Sequence, residues 1–148
     1  MKLVFDLILE RSLADVWKSF DNPENMKIWQ PTLVSFEPVS GTPGQVGAVS
    51  RLTYEEGGRT IVLTETITVR RHPDLFAGTY ESGMGTNLIE NSFQEISPGR
   101  TRWMVSSEFR FKGLLRVMAP FMKGMLSKRV KTDVERFKTK LEAGELAS

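Results

Sequence analysis

Between Leu114 and Leu141, apolar residues recur every three or four positions: Leu115, Met118, Met122, Leu126, Val130, Val134, Phe137 and Leu141. That spacing places all eight on one face of a single long helix. Leu114, Val117, Phe121 and Met125 form a second apolar row in the N-terminal half alone, so that half is expected to be covered more completely. No other stretch is long and periodic enough to make a second such helix. The cover must therefore come from strands, and the preceding sequence supplies them.

Leu3, Phe5, Leu7 and Leu9 alternate with polar neighbours in the period-two pattern of a half-buried strand. Ser12, with Asp15 three residues on, marks the start of a short helix near Leu13 that carries Val16, Trp17 and Phe20 inward. Asn22-Pro23 opens a second short helix, and Pro31 ends it. Strands are then expected over Leu33–Val39, Ala48–Tyr54, Arg59–Arg71, Leu75–Ser82, Thr86–Ile96 and Thr101–Phe111, separated by Gly- and Pro-containing turns. In Arg59–Arg71, Ile61, Leu63, Ile67 and Val69 alternate with threonines, the clearest strand pattern in the chain. Short turns imply an antiparallel meander, seven strands in all with the first. Such a sheet, buried on one face, must curl around the C-terminal helix.

At 148 residues the chain is expected to be one domain, 1–148, able to bury roughly 68–70% of its unfolded surface. It contains no cysteine, which removes disulfides, thiolate metal sites and cysteine nucleophiles and is compatible with a reducing cytoplasm. His72 is its single histidine, so no His/Cys zinc site and no cofactor are expected. No stretch approaches the roughly 20 apolar residues of a transmembrane span, and the N-terminal run, broken by Asp6, is not expected to be a signal peptide. The net charge of +2 is uneven: Lys112–Glu142 holds nine Lys or Arg against three Asp or Glu. Basic residues are what the wet face of an amphipathic helix needs. No aromatic residues interleave with them as a stacking platform, so nucleic acid is not expected as a partner.

The order strand, two short helices, six strands, long helix resembles the α+β helix-grip fold of the START/Bet v 1-like (SRPBCC) superfamily. The local carriers are Asp21-Asn22-Pro23-Glu24 followed by Trp29, the Gly44-Gln45-Val46-Gly47 turn, Phe93 to Gly99 leading into Arg100-Thr101-Arg102, and Gly113-Leu114-Leu115 running through Pro120 into a basic helix. These look most like the polyketide cyclase/dehydrase and lipid-transport group. The resemblance implies a cavity between sheet and helix that holds a small hydrophobic molecule such as a lipid, quinone or polyketide. Fold alone does not fix function.

Polar residues that interrupt an inward row are the candidates for ligand contact, because a buried polar atom needs a partner. Glu65 interrupts Ile61, Leu63, Ile67 and Val69; Asn91 interrupts Ile89 and Phe93; Ser107 interrupts Trp103, Val105, Phe109 and Phe111. These three are expected to be neighbours across the sheet. Each also has a structural alternative: Glu65 pairing with Arg51, Ser107 bonding the backbone. Tyr80, Trp29 and Trp103 are candidates for an aromatic wall or rim, with core packing as the alternative for each, and Met118, Phe121, Met122 and Met125 for a flexible apolar lid, with Pro120 bending or loosening its start. Two other functions compete with carriage of a ligand. One is a cyclase or dehydrase using Glu65 as general base. The other is a protein- or membrane-surface module acting through the basic helix. His72 lies in a His-Pro-Asp turn, which argues against a serine triad, and a homodimer stays open.

Overall fold

The computed structural model describes residues 1–147. The elements are β1 (Lys2–Leu9), α1 (Leu13–Asp21), a 3₁₀ turn (Pro23–Asn25), α2 (Met26–Trp29), β2 (Leu33–Ser40), β3 (Val49–Glu56), β4 (Arg59–Arg71), β5 (Leu75–Ser82), β6 (Gly85–Ser97), β7 (Arg100–Phe111) and α3 (Leu115–Glu142). The seven strands form one antiparallel sheet in the order β1-β7-β6-β5-β4-β3-β2. The meander from β2 to β7 is thus closed by β1, which lies beside β7 with Leu3 opposite Ser107 and Leu7 opposite Trp103.

Local signals act as their chemistry predicts. The Ser12 hydroxyl caps α1 by accepting from the Asp15 N–H (3.2 Å), and the Asn22 side chain accepts from the Glu24 N–H (3.0 Å) with Pro23 at the first helical position. Gly85 opens β6 at φ +145°, and a Cβ there would lie 2.1 Å from the Arg110 carbonyl oxygen, so only glycine fits this crossing. α3 runs unbroken through Pro120.

The inward face of the sheet supports two cores. The larger is aromatic: Trp17, Trp29, Phe93, Trp103 and Phe137 are buried with Leu9, Val16, Val105, Val134 and Leu141, and Phe20 and Phe76 pack against them. The smaller lies at the β2–β4 side, where Leu33, Leu52 and Tyr54 are buried beside Met26, Phe36, Ile61, Leu63 and Tyr80.

Two expectations fail here for identifiable reasons. A bulge in β4 at Thr68, between the pairs Ile67–Gly78 and Val69–Ala77, reverses the alternation. Val69 therefore turns outward, 39% exposed, and Arg70 turns inward. There the Arg70 guanidinium makes a bidentate bond to Asp21 (2.6 and 2.8 Å) and sits over the Trp17 ring, tying α1 to the sheet. The second failure is on α3. Its C-terminal half is anchored, with Val134, Phe137 and Leu141 buried. The N-terminal half is not covered more completely: Leu114, Val117, Met118, Phe121 and Met125 are all exposed, Phe121 at 89%. The inward row instead runs Leu115, Ala119, Met122 and Leu126, all half-buried, so Ala119 stands where Met118 was expected. One helix cannot turn both apolar rows toward one sheet, and among the described residues no other element covers the second.

Candidate functional site

The register of the sheet places a polar row across its inward face, ending on β7 at Phe109, which lines a cleft with Arg116 and Ala119 of α3. Ser50 on β3 pairs with Glu65 on β4, Glu65 with Tyr80 on β5, Tyr80 with Asn87 on β6, and Asn87 with Phe109 on β7. All five share one face because successive strands are in antiparallel register and side chains alternate. The next row, Ile67–Gly78–Ile89–Ser107, is apolar except for its last member. Ser107 donates from Oγ to Asn87 Oδ1 (2.9 Å), which joins it to the polar row. Gly78 leaves that second row without a side chain next to Tyr80, whose ring edge is 3.7 Å from where a Cβ would stand.

Glu65 is 6% exposed. Burial raises its pKa, and the hydrogen bond from Tyr80 opposes this without cancelling it; no cation offsets the cost. The expected alternative, an ion pair with Arg51, does not form, since Arg51 lies near Glu37 on the outward face (3.8 Å). Tyr80 is itself raised well above the ordinary phenol value, first by burial and then by the Glu65 charge. Burial likewise raises Tyr54, again with Glu65 contributing. The Tyr54 hydroxyl donates to Gln30 Oε1 at 2.7 Å. Glu65 thus sits among phenols rather than cations, an environment that favours a neutral carboxyl able both to donate and to accept.

Two clefts flank the N-terminal half of α3. One, about 410 Å³, lies on the β7 side between Phe109, Arg110, Phe111, Arg116 and Ala119. The other, about 300 Å³, lies on the β3 side and takes in Glu56, Met125, Lys128, Arg129, Asp133 and Arg136. Its charges are largely paired, Arg129 with Glu56 (2.6 Å) and Arg136 with Asp133 (3.0 Å). Burial raises the Asp133 carboxyl, and Arg136 and Arg129 partly counter this.

The sequence candidates separate accordingly. Glu65 and Tyr80 are adjacent, and Ser107 joins them through Asn87. Asn91 does not. It lies in another row, opposite Val105, where its Oδ1 accepts from Trp103 Nε1 (3.1 Å) and its amide donates to the Phe76 carbonyl (3.5 Å). The expected cluster of Glu65, Asn91 and Ser107 is therefore corrected: the three occupy different rows, and Asn91 serves the core. Trp103 is buried in that core, stacked on Phe93 and edge-on to Phe137 (centroids 6.1 and 5.0 Å). Met122 faces the sheet, Met125 borders the smaller cleft, and Met118 and Phe121 face solvent. Ser50 and Asn87 were missed; Asn87 lies two residues from Ile89, which the alternation already turns inward.

The architecture matches known proteins across nearly its whole length. A family model described as polyketide cyclase / dehydrase and lipid transport matches residues 7–142. The chain belongs to that family. Among solved structures, a START superfamily protein from Mycobacterium smegmatis superposes with a TM-score of 0.81 at 13% identity, covering 96% of this chain and 97% of the other. The ZhuI aromatase/cyclase from Streptomyces sp. R1128 gives 0.80 at 11%, covering 96% and 93%. Ara h 8.0201 gives 0.77 at 17%, covering 97% and 98%. At these identities the likeness is one of fold, the helix grip of START/Bet v 1-like proteins. No functionally curated protein matches the sequence. Family and fold fit hydrophobic-ligand binding or polyketide cyclisation, and among the described residues no helix is long and apolar enough to cross a membrane.

Proposed function

We propose that the chain binds a small, mostly apolar molecule between the inward face of the sheet and the N-terminal half of α3, with a ligand hydroxyl or carbonyl meeting Glu65. The observation that carries this reading is the buried carboxyl of Glu65, adjacent to Tyr80 and without a cation, in a polar row bordered on the same face by the apolar Leu63, Ile67 and Ile89. A carboxyl in such a place has a cost that a ligand hydrogen bond would offset. Leu115, Ala119, Met122 and Leu126 would close over the apolar part. Trp103 and Asn91, engaged in the aromatic core, take no part in this reading. Native mass spectrometry of gently purified protein is expected to show a bound organic molecule. The neutral fluorophore N-phenyl-1-naphthylamine should bind saturably at one per chain. Met122→Trp, which adds bulk on the inward row of α3, should abolish that binding, and unchanged binding would overturn the location.

A second reading is favoured by the same carboxyl. With its pKa raised by burial, Glu65 holds its proton to higher pH than an exposed glutamate and would serve as acid and then base in an aldol cyclisation or dehydration of a poly-β-ketone. In that case Glu65→Gln should remove turnover of a poly-β-ketone substrate and leave its binding within about threefold, since the amide keeps the shape and the hydrogen bonds. Turnover that survives the substitution would exclude Glu65 from the chemistry.

A further inference from the structure

The geometry points to the N-terminal half of α3 as a docking surface for an anionic lipid bilayer. Leu114, Val117, Phe121 and Met125 are spaced by three and four, and with Met118 beside them they make one outward stripe roughly 17 Å long at the helical rise of about 1.5 Å per residue. Their exposures are 74%, 70%, 89%, 63% and, for Met118, 46%. An exposed run of large apolar side chains of this kind marks a surface that meets something apolar.

The charges around the stripe say what that partner is. From Phe109 to Thr132 there are seven basic residues, Arg110, Lys112, Arg116, Lys123, Lys128, Arg129 and Lys131, and no acidic one. Lys112 stands just before the stripe, and Lys128 continues it one turn beyond Met125. Arg129 is committed to Glu56, whereas Lys112, Lys123 and Lys128 are exposed. Apolar side chains aimed outward with exposed lysines at both ends suit a headgroup layer: Phe121 enters the acyl boundary while the lysines remain among anionic headgroups. A second copy of this chain fits poorly. Symmetric pairing of the stripe on itself would set Lys112 and Lys128 against the partner's own lysines with no carboxylate between them. Docking in this orientation would also turn the same half-helix that flanks the two clefts toward the membrane. The inference stands on exposure and charge and is independent of what the clefts bind.

Co-sedimentation with vesicles of phosphatidylcholine containing 30% phosphatidylglycerol, against phosphatidylcholine alone, tests it. Binding is expected to the anionic vesicles, to weaken at least about tenfold between 50 and 500 mM salt, and to fall at least about tenfold in Phe121→Glu and in Lys112→Glu/Lys128→Glu. These side chains are exposed, so thermal melts of the variants should match the parent and exclude unfolding as the cause. In Phe121→Trp, the added tryptophan emission should shift to the blue on anionic vesicles only. Absence of vesicle binding, binding that Phe121→Glu leaves unchanged, or a dimer in light scattering that Phe121→Glu dissociates would each overturn the proposal.

Discussion

Glu65 is the residue at which fold and function compete most directly. Its carboxyl is buried on the inward face, and the net effect of that burial is a raised pKa. The linkage sign follows. A carboxyl whose folded pKa lies above its unfolded value is bound best as the neutral acid, so its contribution is fully present below the unfolded pKa and is lost as pH rises through the folded one. Glu65→Gln, neutral at every pH, should therefore melt higher than the parent at pH 8, and the difference should shrink toward zero as pH falls to 4. Differential scanning calorimetry across that range checks the sign; a parent that is the more stable at pH 8 would show that the charged form has a partner not seen here. Asn91 shows the opposite outcome for a buried polar residue. Both its amide ends are used by Trp103 and Phe76, so it costs nothing to keep and needs no ligand. Sequence pattern finds both as interruptions of an apolar row. It cannot tell them apart, because the difference lies in which side chain stands across the next strand.

On α3, the N-terminal half is the more apolar in sequence and the C-terminal half the more buried. Phe137 is 0% exposed among Phe20, Trp29 and Trp103, so Phe137→Ala should destabilise by about 3–5 kcal/mol through lost contacts and the cavity left behind. Phe121 has solvent around it, and Phe121→Ala should change stability by no more than about 0.5 kcal/mol. Urea denaturation of the two variants compares them directly; similar losses would mean that the N-terminal half packs against the molecule in solution. The period of the helix and its length were legible in the sequence, as were the bounds of β4 and β5, because caps, turns and alternation are local. What covers the helix was not legible, since spacing reports which residues share a face and not whether anything lies opposite. The bulge at Thr68 was equally hidden. Nothing in a Thr-Ile-Thr-Val-Arg run announces an extra residue, and its consequence, Arg70 turned inward to Asp21, depends on where α1 lies.

At the scale of the molecule, the aromatic core makes one end of the sheet–helix sandwich rigid and leaves the other open. Further bonds reinforce the closed end. Glu142 accepts from the Glu10 N–H (2.8 Å) and from Lys138 Nζ (2.7 Å), Arg11 donates to the Glu142 carbonyl (2.6 Å), and Lys138 also donates to the Ile8 carbonyl (2.6 Å). The C-terminus of α3 is thereby fixed to β1 and the turn after it. Among the described residues nothing comparable holds the half from Leu115 to Leu126, whose inward residues are half-buried and whose outward stripe is exposed. Local opening follows burial and bonding, so amides of 118–126 should exchange with deuterium well before those of 133–141, by about two orders of magnitude or more in protection. If the open end is the ligand site, saturating N-phenyl-1-naphthylamine should slow exchange in 118–126 and in β4 around Glu65 while leaving 133–141 unchanged. Anionic vesicles, by contrast, should protect 114–125 without altering β4. Hydrogen exchange followed by mass spectrometry separates the two patterns, and uniform protection along the whole of α3 would show that the helix moves as one unit rather than as an anchor and a lid.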